Sequence, residues 1–148
     1  MNEILIAVDG SKKSKKVVEA GCDLAKSLSA EIMLVCVGKL PETGPNGLVE
    51  FSRTERFPDA YALYLQQLST QITDELTKCV EEKGMKCKAV NKTGNPAKVI
   101  LDLASKNKVQ MIVVGLTGLH GLGRMRSLGS VSRRVVENAK CPVVVVPV

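Results

Sequence analysis

Five short apolar runs, separated by segments of helical period, constrain this chain more than any other feature of its sequence. Ile4 to Val8, Ile32 to Val37, Met111 to Val114 and Val143 to Val146 are wholly or almost wholly apolar, the pattern of strands buried on both faces of a parallel sheet. The run from Lys86 to Val90 alternates instead, setting Lys86 and Lys88 against Cys87 and Val90, and predicts a strand at a sheet edge. Between the runs, Val17, Gly21, Leu24 and Leu28, with Val18 and Ala25 beside them, predict a helix over about 12–29. Tyr61, Leu65, Leu68, Ile72, Leu76 and Cys79 step by three and four and predict a long helix from Pro58 to Lys83, stopped by Gly84. Asn95 as cap and Pro96 in the first turn open a third helix with Val99, Ile100, Leu103 and Ala104 inward. A fourth opens at Ser130, read as its cap, with Val131, Val135, Val136 and Ala139 at helical spacing until Cys141-Pro142. Strand and helix therefore alternate throughout, which predicts an α/β fold: an open five-stranded parallel sheet, Rossmann-like, with helices on both faces and right-handed crossovers.

At 148 residues the chain has the length of one ordinary domain, 1–148, able to bury a core without metal or disulfide support. No apolar run approaches the roughly 18 residues of a membrane span. The N-terminus enters a strand pattern at once, with neither a basic segment nor a small-residue cleavage site, so no export signal is visible. Five cysteines at positions 22, 36, 79, 87 and 141 lie in apolar surroundings with no Cys-x-x-Cys pair, which reads as reduced, buried thiols of a cytoplasmic protein and argues against a metal site. The net charge of +6 could suggest nucleic acid. Against that, Lys12, Lys13, Lys15 and Lys16 fall at a helix start where they form a solvated face, and four aromatic residues leave little for bases to stack on.

Chemistry concentrates after the fourth strand. Gly115, Gly118, Gly121 and Gly123 precede Gly129-Ser130, in a connection of thirteen residues that is longer than packed elements need. Glycines let successive N–H groups converge on an anion, and the free N–H groups and dipole of the next helix favour negative charge at its start. Arg124 and Arg126 lie in the same loop, so the sequence reads as a phosphate cradle; the alternative is a glycine-rich turn of purely structural use. In sheets of this kind ligands bind at the carboxyl ends of strands where the winding reverses. Asp9, after the first strand, and Gly115, after the fourth, would flank such a crevice if those strands are neighbours. Other phosphate motifs are missing: there is no Gly-x-x-x-x-Gly-Lys-Ser/Thr, and Gly121-Leu-Gly123 lacks the third glycine of a dinucleotide fingerprint. His120, the single histidine, has no nucleophile or orienting carboxylate in its sequence context.

Ile-Leu-Ile-Ala-Val-Asp9-Gly-Ser11, Gly94-Asn-Pro96, Ile-Val-Val-Gly115, and Gly129-Ser-Val-Ser132 through Cys141-Pro-Val-Val-Val-Val-Pro147 resemble the universal stress protein family over the whole chain. Its nucleotide-binding members carry two glycines separated by two residues, then a gap of nine, then Gly-Ser or Gly-Thr. Gly115 and Gly118 match the pair and Gly129-Ser130 the end, but the gap from 119 to 128 is ten residues, one longer than the pattern. The resemblance implies a fold like the adenine nucleotide hydrolases and binding of ATP, with or without Mg2+. It places Asp9 with Ala7 and Val8 at the adenine edge or ribose and Val37 as an apolar wall for the base. Val114 and Gly115 would line the nucleotide, and Gly118, Gly129, Ser130, Val131 and Ser132 would surround the phosphates. Asp9 and Ser130 have the alternative of acting as helix caps alone. Since no residue is placed to activate water, slow or absent hydrolysis is expected. Two other readings stay open: a nucleotide-free interaction module of the same fold, motivated by the longer gap, and an enzyme acting at an adenine nucleotide α–β phosphate. The resemblance also implies a homodimer through the last strand, whose unpaired edge invites a partner.

Overall fold

The computed structural model describes residues 2–38, 58–116 and 128–148. Its elements are β1 (Glu3–Val8), α1 (Ser14–Leu28), β2 (Glu31–Gly38), α2 (Pro58–Glu82), β3 (Cys87–Thr93), α3 (Pro96–Asn107), β4 (Met111–Gly115), α4 (Ser130–Asn138) and β5 (Val143–Val146). All strand pairs are parallel and the sheet order is β3-β2-β1-β4-β5. The alternation predicted from sequence is therefore the observed one, with β3 at an edge as its polar alternation requires. β3 extends three residues past Val90, to Thr93.

Strand pleat divides the core into two layers. Ile4, Ile6, Val8, Ile32, Leu34 and Cys36 turn toward Val17, Val18, Cys22 and Ala25 of α1 and Leu76 and Val80 of α2. Leu5, Met33, Val35, Ile112 and Val114 turn the other way, against Ala97, Ile100 and Ala104 of α3 and Val135 of α4. Adjacent residues of one strand thus serve opposite layers, which is why these runs lack polar positions.

The helices have the predicted period, and part of each predicted face is the observed one: Val17, Val18, Gly21 and Ala25 of α1, Leu76 of α2, Ile100 and Ala104 of α3 and Val135 of α4 are buried. In α1 the inward residues centre on Val18, Gly21, Cys22 and Ala25, while Leu24 is half-buried and Leu28 is exposed. In α2 the buried stripe is Ser69, Thr73, Leu76 and Val80, and Leu68 faces solvent. The hydroxyls tolerate burial because each has partners: Ser69 Oγ donates to Cys36 Sγ at 3.6 Å, and Thr73 Oγ1 reaches Ser69 O at 3.0 Å and Asn91 Oδ1 at 3.2 Å. The side chains of Tyr61 and Leu65 lie outside the described set. In α4, Ser132 and Val135 point inward and Val136 is exposed.

Helix ends follow local chemistry. Asn95 Oδ1 accepts from Lys98 N at 3.1 Å and Pro96 follows it, as predicted for α3. Gly84, at φ +76°, ends α2 by donating its N–H to Glu81 O at 2.8 Å. All five cysteines are free. Cys22 and Cys36 are buried as expected, whereas Cys79, Cys87 and Cys141 are only half-buried. Burial pushes the thiols of Cys22, Cys36, Cys87 and Cys141 above the ordinary range, so they stay protonated and poorly nucleophilic near neutral pH.

Candidate functional site

The chain runs from β1 outward to β2 and β3, then crosses back to β4 on the other side of β1, so the winding reverses between β1 and β4. These two strands are paired, with Ile6 opposite Val113, and both end at the same edge of the sheet. Asp9 follows one and Leu116 the other, which meets the condition for a crevice between them.

Ala7, Val37, Val114 and Val131 all lie on the α3/α4 side of the sheet; Ala7, Val37 and Val131 are half-buried, and Val114 is buried. Val8 differs: its side chain packs into the α1/α2 layer, so only its backbone is available to a ligand in the crevice. Asp9 is half-buried. Its Oδ1 accepts from Ser11 N at 2.9 Å and from Ser14 Oγ at 3.1 Å, and Ser14 Oγ in turn accepts from Gly10 N at 3.2 Å. This is a side-chain-stabilised turn and not a helix cap, because the cap position of α1 is Lys13, with no side-chain cap bond. The partners of Asp9 were not anticipated from sequence, although the spacing Asp9-x-Ser11-x-x-Ser14 carries the signal in its short polar side chains. Ser11 Oγ, beside Asp9, is buried without a hydrogen-bond partner, an unmet polar group at the mouth of the crevice.

The other wall is the start of α4. Gly129, not Ser130, is the cap residue, at φ −62° and ψ 162°, and being glycine it supplies no side-chain cap bond. Ser130 is the first helical residue and is exposed, so its predicted capping role is not the observed one. The first N–H groups of a helix have no partner within it, and here those of Ser130, Val131 and Ser132 occupy that position at the crevice. The ends of the glycine connection are tied together: Gly129 N donates to Leu116 O at 2.8 Å, and Leu116 N donates to Val146 O at 2.8 Å. Leu116 is a positioning residue that no sequence pattern singled out. Ser132 Oγ donates to Gly115 O at 2.5 Å and the residue is 6% exposed, so its hydroxyl fastens α4 to β4 and its backbone N–H is what remains for an anion. Gly118, His120, Gly121, Gly123, Arg124 and Arg126 lie outside the described residues.

The arrangement can present a carboxylate to hydroxyl or amine donors on one side and backbone N–H groups to an anion on the other, across apolar walls. Those are the complementary groups of a nucleoside phosphate. A second cleft, of about 450 Å³, lies between the carboxyl ends of α3 and α4 and is lined by Ala104, Lys108, Val109, Asn138, Lys140 and Cys141. Its lysines sit where helix C-termini favour cations, so their placement has a structural account. Among the described residues no group of three His, Cys, Asp or Glu side chains could hold a metal ion, and no helix is long and apolar enough to cross a membrane.

Fold and crevice together define a doubly wound parallel α/β protein whose winding reverses between β1 and β4. The chain belongs to the universal stress protein family, whose profile matches residues 1–147. It is 34% identical to universal stress protein YxiE of Bacillus subtilis, over 98% of each chain. Among solved structures, hypothetical protein MJ0577 superposes with a TM-score of 0.83 at 24% identity, covering 99% of this chain and 96% of that one. A universal stress protein in complex with cAMP gives a TM-score of 0.69 at 21% identity, over 98% and 96% of the two chains. Another, from Archaeoglobus fulgidus and in complex with dAMP, gives 0.67 at 19% identity, over 98% and 97%. At these identities the structural likenesses establish the fold.

Proposed function

We propose that this protein is an ATP-binding universal stress protein of the cytoplasm, acting through nucleotide occupancy in a regulatory or stress-response role, with the whole chain serving as one domain. The observation that carries the reading is that Asp9 and the start of α4, whose cap residue is a glycine tied to Leu116, lie at the edge where β1 and β4 end side by side. Structural neighbours in complex with cAMP and dAMP support an adenine nucleotide there. Asp9 with the backbone of Ala7 and Val8 takes the adenine edge or ribose, and Val37 and Val114 wall the base. Gly115, Gly118, Gly129, Ser130, Val131 and Ser132 surround the phosphates, with Mg2+ able to accompany them. In this reading occupancy is the output and ATP hydrolysis is slow or absent. Calorimetry on nucleotide-stripped protein should give saturable ATP binding below millimolar concentration, weakened at least tenfold by Gly129→Val through crowding of the phosphates. No heat at millimolar ATP sinks the assignment and leaves the nucleotide-free interaction module.

The same reading includes a homodimer through β5. Among the described residues β5 pairs only with β4, all four of its valines are half-buried, and Val136 on the neighbouring helix is 42% exposed. A two-fold partner would satisfy both strand edges with one self-complementary contact. Light scattering should return twice the 15.9 kDa chain mass, falling on dilution. A concentration-independent monomer refutes it.

A further inference from the structure

Three thiols from three different elements gather on the α1/α2 side of the sheet, at the edge away from the crevice. Cys87 is the first residue of β3 and Cys79 lies in the last turn of α2. The Sγ of Cys87 is 3.9 Å from Thr77 Oγ1, so the Thr77 flank of α2 faces β3, at the sheet edge. Successive helix residues turn by about 100°, which puts Cys79, two positions on, on the flank opposite Thr77. Leu76 and Val80 between those flanks pack on the sheet, so the Cys79 flank faces α1. α1 lies over β1, where Gly21 meets Ile6, and the next residue is Cys22, 1% exposed in the same core layer. Lys83, four residues beyond Cys79, shares its flank and is exposed. All of these groups bear on Cys22. Burial does most to raise its thiol's pKa, the ammonium of Lys83 acts the other way, and Cys87, Asp23 and Cys79 add to the rise. Cys22 is closed to solvent and Cys87 has Thr77 against it, which leaves half-buried Cys79 as the thiol that a dissolved oxidant meets first.

We propose that Cys79 and Cys22 form an oxidant-sensing dithiol, which a hydroperoxide converts to a disulfide joining α2 to α1. The peroxide gives one oxygen to the Cys79 sulfur, which loses two electrons; the O–O bond breaks, water leaves and a sulfenic acid remains. The Cys22 sulfur then attacks the Cys79 sulfur. An S–S bond forms, the S–O bond breaks, and the Cys22 proton departs with the hydroxyl as a second water. Two thiols and one hydrogen peroxide thus give one disulfide and two waters, and a dithiol reductant restores both thiols. Because burial keeps Cys22 protonated near neutral pH, the second step is the slower one. The bond would clamp the two helices that hold the Asp9 turn from either side. Ser14 Oγ of α1 donates to Asp9 Oδ1 at 3.1 Å, and Ile72 of α2 fills the space beside Gly10, where a Cβ would stand 2.5 Å from Ile72 Cδ1. Nothing in this chemistry requires a nucleotide.

The test treats the reduced full chain with hydrogen peroxide at neutral pH, with glutathione oxidised in parallel as a control. Free thiols are then blocked with N-ethylmaleimide under denaturing conditions, and the product is read by intact mass and peptide mapping. Wild type should lose two of its five free thiols, run as a single chain on a non-reducing gel, and yield a Cys22–Cys79 cross-linked peptide that dithiothreitol removes. Cys79→Ser should keep all its remaining thiols, while Cys36→Ala and Cys141→Ala should cross-link as wild type does. In Cys22→Ala the sulfenic acid has no partner, so dimedone should label Cys79. Should that variant fail to fold, Cys79→Ser, altered at a half-buried position, decides alone. Amide hydrogen exchange in α1 and α2 should slow on oxidation and recover on reduction. Retention of all five thiols under conditions that oxidise glutathione, a cross-link that maps to any other pair, Cys87 included, or exchange that oxidation leaves unchanged overturns the proposal.

Discussion

Gly21→Val is expected to lower the unfolding free energy by about 3 kcal/mol, because α1 crosses β1 at that residue with no room for a side chain. A Cβ at position 21 would overlap Ile6 Cδ1 and stand 2.8 Å from Ile6 Cγ1 and 3.6 Å from its Cγ2. Ile6 cannot give way easily: it is fully buried on β1, which is held between β2 and β4. A glycine inside a helix costs roughly 1 kcal/mol relative to alanine. Its presence in α1 therefore marks a contact whose loss would cost more. Valine adds a branched side chain that recovers little of that helix propensity and must push the helix off the strand. Since Asp9 lies three residues beyond Ile6, nucleotide affinity should fall with stability. Urea denaturation measures the first and calorimetry the second. A midpoint equal to that of wild type would show that the helix can shift at little cost.

Substitutions of Asp9 should separate its two roles. In Asp9→Ala, the N–H of Ser11 and the hydroxyl of Ser14 lose the acceptor they share, and Ser14 is only 4% exposed. Leaving such groups unmet should cost about 2 kcal/mol of stability. Asp9→Asn keeps an oxygen in the Oδ1 position, so the turn should survive with a loss under about 1 kcal/mol. It also replaces a charged acceptor by a neutral group with donors on one side. If the carboxylate faces the adenine edge or ribose, both variants should lose at least tenfold in nucleotide affinity, about 1.4 kcal/mol or more. Denaturation and calorimetry on the pair decide the matter: an asparagine variant with full affinity would mean that Asp9 serves the turn and nothing else.

These two positions also mark how far local pattern carries. Gly21 is visible in the sequence as one member of an apolar helix face, but that it touches Ile6 is not. The same gap accounts for the places where helix faces depart from expectation. Leu28, Leu68 and Val136 fit the helical period yet are exposed, and Cys22, Ser69, Thr73 and Ser132 are buried beside the predicted Gly21, Leu76 and Val135. Where a helix lies close on a strand, small residues fit and large ones do not. Hydroxyls join them when a carbonyl or thiol waits opposite, as Gly115 O does for Ser132 and Cys36 Sγ for Ser69. Period is a property of the segment; phase depends on the surface it meets.

The alternation of strand and helix, the parallel class of the sheet, the edge position of β3, the Asn95-Pro96 start of α3 and the Gly84 stop of α2 were all determined by the sequence itself, because each follows from residues near one another in the chain. So was family membership, carried by short motifs at the strand ends. What only the tertiary structure decided is the pairing of β1 with β4, residues separated by about a hundred positions, and with it the shared sheet edge at which Asp9 and the start of α4 both lie. The clasp of Leu116 on Gly129 and Val146, and the passing of the helix cap from Ser130 to Gly129, belong to the same class. No local propensity encodes such contacts; they exist because packing the two core layers leaves backbone groups at the strand ends that must find partners across the fold.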